Sequence, residues 1–307
     1  MCISFCAFCG IISTIGGGDW GYGGDGGPAT QAMLASPTSV AVDSAGNLYI
    51  ADGWNRRIRK VDAAARTIST IAGTGDRGYG GDGGPATQAR LSPSGVTVDG
   101  AGNIYIADGA NNRIRKVDAA TGTIGTIAGT GEWGYSGDGG QATRARLAFP
   151  NDVAVGTTGD VYVSDNSNNR IRKIEAATGT IRTIAGTGEQ GYGGDGGPAT
   201  EAGLYSPGGV AVDGSGNVYI ADSANHRIRK IDAATATIST IAGTGEGGYS
   251  GDGGLATGAR LSFPGGVATG SDCRVFIADS ENHRIRVLKP NLALESGGCT
   301  SAPAAGR

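Results

Sequence analysis

"SVAVDSAGNLYIADGWNRRIRKVD", residues 39–62, reads as three short strands joined by two tight turns. "SVAVD" (39–43) alternates small and branched residues, and "SAGN" (44–47) is a hairpin turn in which Gly46 can take a positive φ. "LYIAD" (48–52) is the second strand, and "GWNR" (53–56) turns the chain again. "RIRKVD" (57–62) alternates charged and branched apolar residues with the period of a strand. A little further on, "TISTIAG" (67–73) adds a β-branched fourth strand. No segment shows helical periodicity over a helix length; "PATQARL" (85–91) allows at most one turn.

The stretch recurs. "IADGWNRRIRK" begins at Ile50, and its copies begin at Ile106, Val163, Ile220 and Ile277, spaced by 56 or 57 residues. Between copies stands a second repeated element, "GYGGDGGPAT" at 21–30, with its counterparts at 78–87, 134–143, 191–200 and 248–257. Four antiparallel strands at a fixed interval make a β-propeller blade, so the chain is expected to be all-β, with five four-stranded blades of about 57 residues. The glycine-rich surplus lies between the fourth strand of one blade and the first of the next, and must cross one face of the ring. "IISTIGG" (11–17) resembles a fourth strand with no blade before it, and the last blade lacks one. The N-terminal strand is therefore expected to complete the last blade and close the ring, leaving an apolar cysteine-containing leader (1–10), the propeller (11–289) and a tail (290–307).

Composition agrees. Of 307 residues, 59 are glycine, far above the usual ~7%. The ordered recurrence of hydrophobic residues, 38% of the chain, argues against disorder. A net charge of −3 supplies no positive field for nucleic acid, and stacking aromatics on a basic face are missing, so no nucleic-acid partner is expected. No apolar run is long enough to span a bilayer. "MCISFCAFCGII" is too short for a secretory signal and lacks its basic start.

At this point a family resemblance is visible. "GVAVDGSGNVYIADSANHRIRKID" (209–232) resembles an NHL repeat, and the pattern recurs in order over 11–289. The long GDGGPAT linkers are similar to those of secreted bacterial NHL proteins and of the teneurin NHL region. The resemblance implies a propeller, usually of six blades, so the alternative to a closed five-bladed ring is part of a six-bladed one. It also implies a family of scaffolds, adhesion modules, RNA binders, lyases and hydrolases, among which fold does not choose.

Candidate sites follow the repeats. The sets Asp52/Asn55/Arg57, Asp108/Asn111/Arg113, Asp165/Asn168/Arg170, Asp222/Asn225/Arg227 and Asp279/Asn282/Arg284 occur in every blade, as a structural role requires. Asp and Asn can close a turn on backbone amides, with Arg paired to the Asp or a neighbouring blade. The other arginine of each strand, Arg59 in the first copy, reads as part of a solvated outer strand. The linker aspartates Asp25, Asp82, Asp138, Asp195 and Asp252 are either turn-formers or ligands for calcium, the one candidate cofactor, which takes about 6–8 oxygens. Tyr22, Tyr79, Tyr135, Tyr192 and Tyr249 lie three residues before them and either seal the linker or stack on a sugar. Two residues before each tyrosine the sequence varies: Trp20, Arg77, Trp133, Gln190, Gly247. That variable position is the better place for specificity, and Trp54, in a turn, is a further candidate.

His226 and His283 fall in equivalent surface turns. Cys273 and Cys299 are a candidate disulfide stapling the tail to the last blade. The aspartate ending the first strand, Asp43, Asp99 and Asp213, is replaced by Gly156 and Gly270 in blades three and five. Asp152, Asp160 and Asp272 are the hints of asymmetry that an enzyme site would need. The expected function is a non-enzymatic scaffold, extracellular or periplasmic, that binds protein or glycan through the linker face. The rival readings are a propeller lyase or hydrolase with a site at the channel mouth, and a self-associating structural or adhesion protein.

Overall fold

The computed structural model describes residues 13–270 and 272–289. Its strands fall into five antiparallel sheets in chain order. Blade one is β1 (Pro37–Val42), β2 (Leu48–Asp52), β3 (Arg57–Val61) and β4 (Ile68–Ala72); blade two is β5 (Gly95–Val98), β6 (Ile104–Asp108), β7 (Arg113–Val117) and β8 (Ile124–Ala128). Blade three is β9 (Pro150–Val155), β10 (Val161–Asp165), β11 (Arg170–Ile174) and β12 (Ile181–Ala185). Blade four is β13 (Pro207–Val212), β14 (Val218–Asp222), β15 (Arg227–Ile231) and β16 (Ile238–Ala242), and blade five is β17 (Pro264–Thr269), β18 (Val275–Asp279) and β19 (Arg284–Leu288). The protein is a five-bladed, all-β propeller; its helical elements among the described residues are single 3₁₀ turns.

The core lies between blades. Tyr49, Ala51, Ile58 and Ala72 of blade one meet Leu91, Val96, Ile106 and Ile124 of the second unit in one buried cluster, and the arrangement repeats round the molecule. The first strands pack side by side, β1 on β5, β5 on β9, β9 on β13 and β13 on β17. β1 and β17 make no comparable contact among the described residues. Val40 of β1 is 63% exposed where its counterpart Val96 is 3% exposed, and Ile285 of β19 is 75% exposed where Ile58 is 0% exposed.

The strand expected to close the ring is not seen among the described residues. Blade five has three strands there, and residues 13–17 belong to no strand. Instead the Gly17 amide donates to the Ala29 carbonyl (2.9 Å), tying this segment to the linker of blade one. Residues 11 and 12 of the expected strand, the 1–10 leader and the 290–307 tail lie outside the described residues.

Each linker runs down the outside of its blade to the first strand, the later four leaving the fourth strand of the blade before. In the first, the amide of Gly26 donates to Ile68 O and that of Ile68 to Gly27 O, so GDGG is fastened to β4. Two glycines per linker have specific causes. Gly81 takes φ +87°, and a Cβ there would lie 2.7 Å from Ala89 Cα, so the linker could not double back on itself. Gly75 (φ +94°) leaves the space that the Arg57 guanidinium fills.

Candidate functional site

Tyrosine, aspartate and both strand-three arginines come together in every linker. In blade one the Tyr22 hydroxyl donates to Asp25 Oδ2 (3.1 Å) and lies 3.2 Å from the Thr70 hydroxyl. The other carboxylate oxygen, Oδ1, accepts from the Arg59 guanidinium at 2.7 Å. Arg59 reaches on to Asp52 (3.4 Å), whose Oδ1 accepts the Ala35 amide at the approach to β1 (2.8 Å). Asn55 bridges Asp52 (2.8 Å) and the Gly21 carbonyl (2.6 Å). Linker, third strand, turn and first-strand entry are thus tied into one network.

The same connections recur through Asp82–Arg115–Asp108, Asp138–Arg172–Asp165, Asp195–Arg229–Asp222 and Asp252–Arg286–Asp279. Burial pushes the Asp25 and Asp195 carboxyls up, but the threonine hydroxyl, arginine and tyrosine outweigh it, and both pKa values lie below the usual one. Burial also pushes Asp108, Asp165 and Asp222 up, against the backbone amides and arginines that hold them.

This corrects the reading of strand three as a solvated strand. Arg59, Arg115, Arg172 and Arg229 are fully buried, roofed by the linker. The arginines singled out from sequence, Arg57, Arg113, Arg170, Arg227 and Arg284, do not take the aspartate. Arg57 donates to Asn55 O (2.9 Å) and Thr74 O and lies over the Tyr22 ring, 3.7 Å from its centre. The rings of Tyr79, Tyr135, Tyr192 and Tyr249 are covered in the same way. The tyrosines and linker aspartates form packing units: the ring is capped by a guanidinium and both carboxylate oxygens of Asp25 are engaged. No group of acidic, histidine or cysteine side chains that could hold a metal ion occurs among the described residues.

The variable residues are placed differently. Trp20 and Trp54 approach edge to face, with ring centres 6.3 Å apart, and are 72% and 67% exposed. Trp133 and Arg77 are exposed on their own linkers, as is Gln190. Trp54 and the half-exposed Phe149 also border a cavity of about 480 Å³ where the first strands begin, with Thr38, Ser94, Asn151 and Ser280 in its wall. Phe149 has φ +47° and Phe263 +44°, a left-handed conformation uncommon for bulky residues. Sequence reasoning missed both phenylalanines, since their position is Ser36 or Ser206 in other blades. Asp152, on β9, accepts the Val210 amide of the next blade (3.1 Å), as Ser39 accepts that of Val96 (3.2 Å). Burial among the central strands pushes its pKa up to about 7.

His226 is more than a surface turn. Its Nδ1 accepts the Phe263 amide at 3.1 Å, joining blade four to blade five, as Asn112 joins Phe149 and Asn169 joins Ser206 (2.9 Å each). His283 occupies the corresponding left-handed turn of blade five (φ 55°). Cys273 is disulfide-bonded, and Cys299, with every other cysteine, lies outside the described residues.

Comparison with known proteins agrees with this architecture. The NHL repeat family matches residues 147–174, 204–231 and 261–288, the first three strands of blades three, four and five, and the teneurin NHL domain matches residues 8–79 and 74–136. The chain belongs to the NHL-repeat family. Chicken (Gallus gallus) teneurin-1 is 34% identical over 83% of this chain and 11% of its own length. The Arabidopsis thaliana protein SUPPRESSOR OF QUENCHING 1, chloroplastic, is 31% identical over 87% of this chain and 26% of its own. The chain therefore spans about a quarter of one of these relatives and about a tenth of the other. Among solved structures, an auxiliary nutrient binding protein from Bacteroides ovatus superposes with a TM-score of 0.59 at 17% identity, covering 85% of this chain and 60% of that one, which is a likeness of fold.

Proposed function

We propose that this NHL propeller is a non-catalytic binding module that engages a protein partner through the face where its first strands begin. The observation that carries this is the Trp20–Trp54 pair. Two large rings, 72% and 67% exposed and 6.3 Å apart, stand beside a cavity of about 480 Å³ that Trp54 also borders. Exposed tryptophans rimmed by small polar groups are the composition of interface anchors. The repeated Tyr/Asp units, by contrast, spend their polar atoms on one another, which leaves the variable positions to confer specificity. The disulfide at Cys273 supports an oxidising, extracellular or periplasmic setting.

The test is capture of partners from the surrounding extracellular fraction, with a glycan array alongside, comparing the wild type with a Trp20→Ala/Trp54→Ala double variant. The identified partner is then titrated by calorimetry. Loss of two anchors is expected to weaken a protein partner at least ~100-fold, about 3 kcal/mol, with the melting temperature unchanged. If the double variant keeps every interaction of the wild type, the assignment of this face is wrong. Binding to the array alone would make the ligand a glycan.

A further inference from the structure

On the opposite face, between blades three and four, lies a cavity of about 590 Å³, within the size range of ligand pockets, roughly 300–1,000 Å³. In three other blades the equivalent position carries a carboxylate. In blades one, two and four the second-strand tyrosine donates its hydroxyl to the aspartate that ends the first strand: Tyr49 to Asp43 (3.0 Å), Tyr105 to Asp99 (3.1 Å) and Tyr219 to Asp213 (3.1 Å). In blade three that aspartate is Gly156. The turn itself is unchanged, with the Gly156 amide donating to Asp160 O at 2.9 Å. Tyr162 keeps its buried place, 7% exposed, but its hydroxyl has no hydrogen-bond partner among the described residues, and it lines the cavity.

Two further departures fall in the same wall. Asp160 stands where Asn47, Asn103 and Asn217 stand in the other blades, and it pairs with Lys173 (2.8 Å). Arg182 stands where Ser69, Gly125 and Ser239 stand. Across the cavity, blade four and its linker contribute the hydroxyls of Thr200, Ser215, Thr235 and Thr237. This junction thus combines an open volume, a tyrosine hydroxyl without its aspartate acceptor and an added ion pair. Tyr162 keeps its ring buried while its hydroxyl, without the aspartate acceptor, is left for a ligand in the cavity.

We propose that this groove is a binding site for a neutral saccharide, with the Tyr162 hydroxyl and the Asp160–Lys173 pair holding sugar hydroxyls. The chemistry follows from the lining. Lys173 and Asp160 cancel in charge, Arg182 is paired with Glu175 at 3.4 Å, Asp232 is held by the amides of Ala234 and Thr235, and the remaining polar side chains are hydroxyls, which suit a ligand made of hydroxyls. The site is independent of the tryptophan face.

The experiment uses saturation-transfer NMR with glucose, galactose, mannose, N-acetylglucosamine and maltose, followed by calorimetry of the best sugar. Gly156→Asp restores the carboxylate that blades one, two and four carry, and Tyr162→Phe removes a hydroxyl that bonds to nothing among the described residues. Both are expected to keep the wild-type melting temperature or exceed it and to bind at least ~10-fold more weakly. Tyr105→Phe, which breaks the closed equivalent in blade two, is expected to lose stability and keep the sugar. The Trp20→Ala/Trp54→Ala variant keeps it too. Should Gly156→Asp fail to fold, Tyr162→Phe carries the test alone. No transfer to any of the five sugars, or equal binding by the wild type and Tyr162→Phe, overturns the proposal.

Discussion

Arg113 and Arg115 stand two residues apart on β7, and their surroundings set very different consequences for losing each. Arg115 is fully buried between Asp82 and Asp108, and Asp108 is itself 0% exposed. Removing it leaves an uncompensated buried carboxylate, a loss of about 3–5 kcal/mol. Arg113 is half-buried and serves two backbone carbonyls, those of Asn111 (3.1 Å) and Thr130 (2.5 Å), and the Tyr79 ring. Its loss is expected to cost about 1–2 kcal/mol. Urea unfolding of Arg115→Met and Arg113→Met therefore orders them, with the Arg115 variant far the weaker; equal midpoints would refute the buried-network account. The sequence reading favoured Arg113 through the recurring D-x-x-N-x-R spacing, while strict alternation put Arg115 beside it on a solvated face. The register slips between Ile114 and Arg115 against β8, so the two consecutive residues are both buried. The available signal was the aspartate repeated in every linker: a carboxylate placed outside a strand of arginines needs one of them as its partner.

At the scale of elements, strands and turns were legible because side-chain period and turn chemistry are local. "LYIAD" and "RIRKVD" match β2 and β3 to within a residue. What joins one turn to the next blade was not legible, since it depends on residues some 37 positions apart: Asn112 to Phe149, Asn169 to Ser206 and His226 to Phe263. Of these links the histidine one depends on pH. His226 must be neutral at Nδ1 to accept the Phe263 amide. Burial and the neighbouring Arg227 hold its pKa below the ordinary value, with Asp279 acting the other way. The unfolded chain then takes up its proton first as pH falls, so the stability contributed by neutral His226 is complete above about 6.5 and is lost below it. His226→Asn supplies the acceptor found in blades two and three without the titration. It is expected to match the wild type at pH 8 and to melt higher at pH 5.5, and calorimetric scans at the two pH values check this. A variant that lags the wild type equally at both would show that the link is not protonation-dependent.

For the whole molecule, five similar blades share one kind of junction, so stability is close to a sum of blade and neighbour contributions. Blades two, three and four are each packed on both faces. Their third strands keep Ile114, Ile171 and Ile228 at 0% exposure, whereas Ile285 of β19 is 75% exposed and β19 pairs with β18 alone among the described residues. Repetition made the blade count legible from spacing, but the state of the junction between the first and last blades is not a repeated feature and no internal copy reports it. A gradient of local opening follows from this asymmetry. Amides of β18 and β19 are expected to exchange with solvent at least ~100-fold faster than those of β10 and β11, a difference of about 3 kcal/mol in opening free energy. Hydrogen exchange read by mass spectrometry measures both from one digest. Uniform protection across blades three and five would mean that the exposed face of blade five is covered in solution, and that the fifth blade is held as firmly as those with a neighbour on each side.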